Sequence, residues 1–171
     1  VTGSSITSFK GTQYLLKNLF TSLGLAIVLI SAFMAIMFSS WRMVVLSLIP
    51  NIIPLIFTAA LMGFTGIPIK ASTILVFSIA FGISVDNTIH FLAKYRQELK
   101  TTNWNIRHSV VLAMRETGLS MIYTFVVLFF GFGIFAFSGF GGTVAMGVLV
   151  SLTLLVAVTS NLILLPSLLT G

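Results

Sequence analysis

The chain has no cysteine and only three acids among 171 residues. Without thiols there are no disulfides and no thiolate metal sites, and the redox compartment stays open. Two separated histidines and three acids also make no structural metal centre, so neither a metal nor any other cofactor is expected. Charge of either sign is scarce. Charged residues make up 7% of the chain, against about 25% in soluble domains, which excludes an ordinary water-soluble globule. Base exceeds acid by +6, and the nine basic residues fall in polar breaks between apolar runs. That pattern suits anionic lipid headgroups, whereas nucleic acid needs a continuous basic face, so no nucleic-acid partner is expected. No phosphate-cradling loop, nucleophile elbow or metal-ligand cluster is visible, so there are no catalytic residues to assign and an enzyme is not expected. A basic start followed by a short apolar core is also missing, so no signal peptide is in view. Val1, in place of an initiator Met, reads as the start of a piece of a longer protein.

Apolar sequence, by contrast, is abundant, at 57%. Five runs approach the roughly 20 residues that a spanning helix needs: Asn18–Phe38, Met43–Phe64, Ser72–Phe91, Ser120–Phe137 and Thr143–Leu165. They lack two-residue alternation, and backbone groups in hydrocarbon must be satisfied internally, so helices are expected rather than barrel strands. The fold class is therefore all-α integral membrane, with a polar extracytoplasmic lead-in over 1–17 and a transmembrane domain over 18–171. Within the polar connection 93–118, the segment 103–117 has apolar Ile106, Val110, Val111 and Met114, with Gly118 as a stop. It reads as a short amphipathic helix at the cytoplasmic interface. Five spans put the termini on opposite sides. Arg42, Lys94, Arg96, Lys100, Arg107 and Arg115 gather on one side and Lys10, Lys17 and Lys70 on the other. The larger group belongs in the cytoplasm, which leaves the N-terminus outside and the C-terminus inside.

One acid interrupts an apolar run. Asp86 lies in the third span, where a carboxyl costs about 2.5–3.5 kcal/mol on insertion scales and so faces the protein interior. Ser78, Gly82, Asp86 and His90 recur every four residues and share one helix face, while Asn87 and Thr88 broaden the polar patch. Gly82 removes bulk one turn from the carboxyl, which lets a neighbouring helix come close. Desolvation and neighbouring charge shift a carboxyl in opposite directions, so a group that alternates between two helix packings can take up a proton on one side and release it on the other. The competing reading is a buried acid held neutral by a hydroxyl for packing alone; Ser120 and Thr124 on the fourth span are the candidate partners. His90 either exchanges protons with Asp86 or only anchors the helix end. In the second span Pro50 and Pro54 each remove a backbone donor, and Asn51 can bond the freed carbonyls or a neighbour. That trio is a hinge or a passive kink.

The run from Gly82 to Asp86, followed by His90, Phe91 and the exit Tyr95 to Leu99, resembles the fourth helix of a half-repeat in the resistance-nodulation-division (RND) superfamily. The branch it resembles holds the MMPL and Patched-like exporters. Pro50 with Asn51 and Pro54, and the stretch from Gly63 to Thr73, resemble the preceding helix and its outer loop. The resemblance implies half of an RND-type transmembrane domain, the five-helix block of helices eight to twelve, in a bacterial inner membrane. It further implies proton-driven export of lipids or other hydrophobic molecules, with Asp86 as the coupling residue. The implied partners are membrane lipids, such a substrate, the missing half and its extracytoplasmic domains; a homo-oligomer is compatible with these. Many relatives carry a second acid or a Tyr after the Asp, and here Asn87 cannot titrate. Two alternatives share this architecture: an accessory component of the Sec translocon, and a sterol-sensing-like module that binds lipid and regulates a partner.

Overall fold

The structure, a computed structural model, describes residues 4–38 and 40–170, with side-chain placements from residue 11 onward apart from 12 and 71. Residues 1–3 of the lead-in lie outside it. Five helices follow in chain order: α1 Ser4–Phe38, α2 Trp41–Thr65, α3 Ala71–Thr101, α4 Ile106–Gly133 and α5 Gly141–Thr170, with a short 3-10 turn Ile134–Phe137 after α4. The fold is thus all-α, and all five helices are long and apolar enough to cross a membrane. The connections are as short as the sequence suggests. The α2–α3 turn opens with Gly66 at φ 67°, a left-handed position that glycine takes without steric cost.

α5 is the central element and packs against α2, α3 and α4, whereas α1 touches only α2 and α3 and is largely exposed. One apolar cluster at the 93–118 end joins Met34, Phe91, Leu92, Val110, Leu165 and others; a second, at the opposite end, joins Met62, Val76, Leu149, Val150 and Leu154. Between these two apolar layers the facing sides of α2, α3 and α5 carry a polar layer, described below.

Two expectations are corrected. Segment 103–117 is not a separate interfacial helix. Asn105 caps it, its side chain accepting the His108 N–H at 3.1 Å, and the helix then runs unbroken to Gly133. The stripe Ser109, Val110, Ala113, Gly118 and Met121 is buried, so this stretch packs on the bundle rather than lying flat on a membrane surface. Gly118 is not a stop. A Cβ there would sit 2.8 Å from Met114 Sδ and 3.4 Å from Leu162, so the missing side chain lets α5 approach. The helices also overrun the apolar stretches. α3 ends at Thr101 rather than near Phe91, which places Asp86 fifteen residues, about 22 Å, from either end.

Candidate functional site

Successive residues of a helix are about 100° apart, so residues two apart lie on nearly opposite faces. α3 uses this over two turns. Ser84 and Thr88 face inward and are fully buried, while Asp86 and His90 face outward, with side chains 68% and 72% exposed. The face expected from the four-residue repeat is real: Ser78, Gly82, Asp86 and His90 are all exposed. Its direction is the reverse of the one expected. Asp86 is not enclosed by the helices of this chain, and the packing-only reading, a buried acid held by a hydroxyl, does not describe it.

The outward site is a groove of about 310 Å³ between α3 and α4, lined by Asp86, Asn87, His90, Glu116, Ser120 and Thr124 among others. Asp86 Oδ1 lies 3.4 Å from His90 Nε2, one turn away, a long contact that becomes an ion pair only when the imidazole is protonated. Ser120 and Thr124 share the groove with Asp86 as expected, but neither is hydrogen-bonded to it among the described residues. Gly82 faces open space: a Cβ added to it would meet nothing within 4 Å, so no helix of this chain uses the access it gives. Glu116 is the residue that local sequence pattern does not reveal. It lines the groove one helix away from Asp86, and Lys94 Nζ holds its carboxylate at 2.6 Å while also reaching Glu98 at 2.9 Å. Lys94 thereby ties the end of α3 to the start of α4. A groove wall with two carboxyls, one imidazole and three hydroxyls can accept, hold and pass on a proton.

The inward site is neutral. Asn51 on α2 donates to the Ser47 carbonyl at 2.7 Å, and its Oδ1 accepts from Ser84 Oγ at 2.6 Å and Thr88 Oγ1 at 3.0 Å. Asn161 on α5 donates to the Ser84 carbonyl at 3.2 Å, and its Oδ1 lies 2.9 Å from the Thr88 hydroxyl. Pro54 has no N–H for the Pro50 carbonyl; Ser160 on α5 donates to that carbonyl at 3.1 Å instead. One turn on, Thr58 meets Thr153 across the same interface at 2.5 Å. No buried side-chain polar atom among the described residues lacks a partner. Thr88, expected beside Asp86, belongs to this inward network. Asn51 does bond a neighbouring helix, and Pro50, Asn51 and Pro54 are all buried. Asn161 joins them unexpectedly, although an amide within the apolar run of the fifth span is a signal of the same kind as Asn51.

No group of three or more His, Asp or Glu side chains that could hold a metal occurs among the described residues. No curated protein matches the chain. The MMPL family model, a family of RND-type membrane transporters, matches residues 1–171. With that match over its whole length, and five spanning helices beneath it, the chain belongs to the MMPL family.

Proposed function

We propose that this chain forms the five-helix block of one half of a proton-driven exporter of hydrophobic or lipid molecules, with Asp86 as its coupling group. The observation that carries the reading is the outward carboxyl at the midpoint of α3. Left against lipid tails it costs about 2.5–3.5 kcal/mol, so in the membrane this face must meet protein or water. A second helical half placed over α3 and α4 meets that requirement. It would cover Gly82 and Ser78, close the groove, and let the environment of Asp86 change as the halves move. A proton crossing with the field gains about 2.3 kcal/mol per 100 mV, enough to bias such a two-state movement.

In this mechanism His90 and Asn87 flank the carboxyl, and Glu116, Ser120 and Thr124 form the opposite wall along which water and protons reach it. The orientation supports entry of that route at the cytoplasmic end. The α1–α2 turn, the start of α4 and the end of α5 all border one cavity, and most of the basic residues lie at that end.

The test is Asp86→Asn in the intact protein, reconstituted in vesicles with an imposed pH gradient and assayed by an internal pH dye together with efflux of a lipophilic fluorophore. Both signals should fall to the level of protein-free vesicles while the helical content stays unchanged. Gradient-driven efflux at the wild-type rate overturns the proposal.

A further inference from the structure

A second cavity, of about 410 Å³, opens where the α1–α2 turn, α3 at Tyr95, the first turn of α4 and the last turn of α5 converge. Arg42 and Arg107 stand on its rim, while Met43, Leu46 and Leu169 give it an apolar wall. Three observations define what fits there.

Among the described residues neither guanidinium is paired with an acidic side chain. The chain's three acidic side chains are placed elsewhere, Asp86 beside His90 and both glutamates on Lys94. The helix ends add positive potential. α2 and α4 both begin at this cavity, and neither has an acid in its first turn. Ser40, the residue preceding α2, makes no side-chain cap, so the first amides of α2 are not satisfied by it. The depth is that of a lipid headgroup. The chain's two tryptophans, Trp41 beside Arg42 and Trp104 three residues before Arg107, are each 73% exposed, as residues of an interfacial aromatic belt are.

We propose that this cavity is a binding site for the headgroup of an anionic phospholipid, the phosphodiester between Arg42 and Arg107 and the first acyl carbons along Met43, Leu46 and Leu169. Chemistry separates this from its competitors. A phosphodiester accepts the planar donor fork of Arg in two parallel hydrogen bonds. A zwitterionic headgroup brings an ammonium that needs a carboxylate, and no acidic side chain among the described residues lines the cavity. Free phosphate would gain nothing from the apolar wall. The inference rests on membrane insertion alone and not on proton coupling.

The experiment places the intact protein in nanodiscs of equal phosphatidylglycerol and phosphatidylethanolamine and reads co-released lipid by native mass spectrometry. At the strength of a basic residue on an anionic surface, two guanidiniums give a preference for phosphatidylglycerol of about thirtyfold. Arg42→Gln with Arg107→Gln should reduce it to near unity. Lys100→Gln with Arg115→Gln removes the same charge outside the cavity and should leave it within about twofold. Equal loss in both double variants would mean diffuse attraction and overturns the site. So does the absence of any preference in the wild type. Displacement of the bound lipid by excess inorganic phosphate overturns the lipid assignment. Should the double glutamine variant misfold, Arg42→Lys with Arg107→Lys keeps the charge, loses the forked geometry, and should show a preference between the two extremes; full wild-type preference counts against the geometry.

Discussion

Replacing Asn51 with Leu separates the two polar sites of α3. Asn51 is 1% exposed and accepts from two α3 hydroxyls, Ser84 Oγ at 2.6 Å and Thr88 Oγ1 at 3.0 Å. Leu has the same number of side-chain heavy atoms but is bulkier, so an overpacking cost adds to the loss of the hydrogen bonds. Interhelical hydrogen bonds in membranes average about 0.6 kcal/mol and reach about 1.7. Two of them lost therefore cost about 1–3 kcal/mol, moderated because Thr88 also reaches the Ser84 carbonyl at 3.0 Å and Asn161 Oδ1 at 2.9 Å. The intact protein, unfolded from mixed micelles by rising denaturing detergent, should lose at least that much stability. In a double-mutant cycle with Ser84→Ala, the coupling should fall at about 0.5–1.7 kcal/mol. Asp86→Asn, measured the same way, should change stability by less than about 0.5 kcal/mol, because the side chain is 68% exposed and its one close contact is at 3.4 Å. A neutral Asn51→Leu alongside a strongly destabilising Asp86→Asn would refute the assignment of structure to the inner face and chemistry to the outer one.

Gly147→Ala should destabilise by about 1–3 kcal/mol in a thermal-shift assay, since its Cβ would stand 2.7 Å from the Phe132 carbonyl oxygen and 2.8 Å from Phe135 Cβ. Gly82 is exposed and a Cβ there meets nothing within 4 Å, so Gly82→Leu should fold normally and yet abolish gradient-driven efflux if a second half covers that face; unimpaired efflux excludes close packing there. Lys94→Met removes the Glu116 ion pair that joins α3 to α4, along with the Glu98 pair within α3, and amide exchange should accelerate at the two helix ends facing 101–106 while the centre of α5 stays protected.

The number of spans, their helical nature and the shared face of Ser78, Gly82, Asp86 and His90 were legible because each follows from composition or from the 3.6-residue period. The direction of that face was not. A polar stripe opposite an apolar one normally points inward in a membrane helix, and α3 carries two polar stripes. Ser84 and Thr88 are small hydroxyls and read as background, yet they are the pair that finds amides on α2 and α5. Asn51 and Asn161 lie 110 residues apart, and no local pattern links them. Their pairing through α3 becomes visible only once α5 is seen to be the central helix. The helix ends were misjudged for a related reason. Apolar runs mark what a membrane must cover, whereas a helix continues for as long as it has something to pack on. α4 has α5 beneath its polar first turns, and α3 has Phe38 on α1, against whose ring Arg96 lies at 5.7 Å.

The two stripes constrain how the molecule can work. Ser84 and Thr88 lock the middle of α3 to α2 and α5 through interhelical hydrogen bonds worth about 0.6–1.7 kcal/mol each in a membrane. Ser160 locks α2 to α5 at the same level, so three helices share one joint. α3 cannot rotate to turn Asp86 inward without breaking that joint. A change in the surroundings of the carboxyl must therefore come from outside this inner layer: from the partner that covers the face, from water entering the groove, or from α4. α4 is bound to α3 at its basic end by the Lys94–Glu116 contact and packs along α5, but none of the hydrogen bonds of the inner joint reach it. Of the helices that border Asp86 it is the one that can shift without breaking that joint. A spin-label pair on α3 and α4 should therefore change separation between low and high pH, and a pair on α3 and α5 should not; the opposite result would mean that the inner joint opens and that this account of its rigidity is wrong.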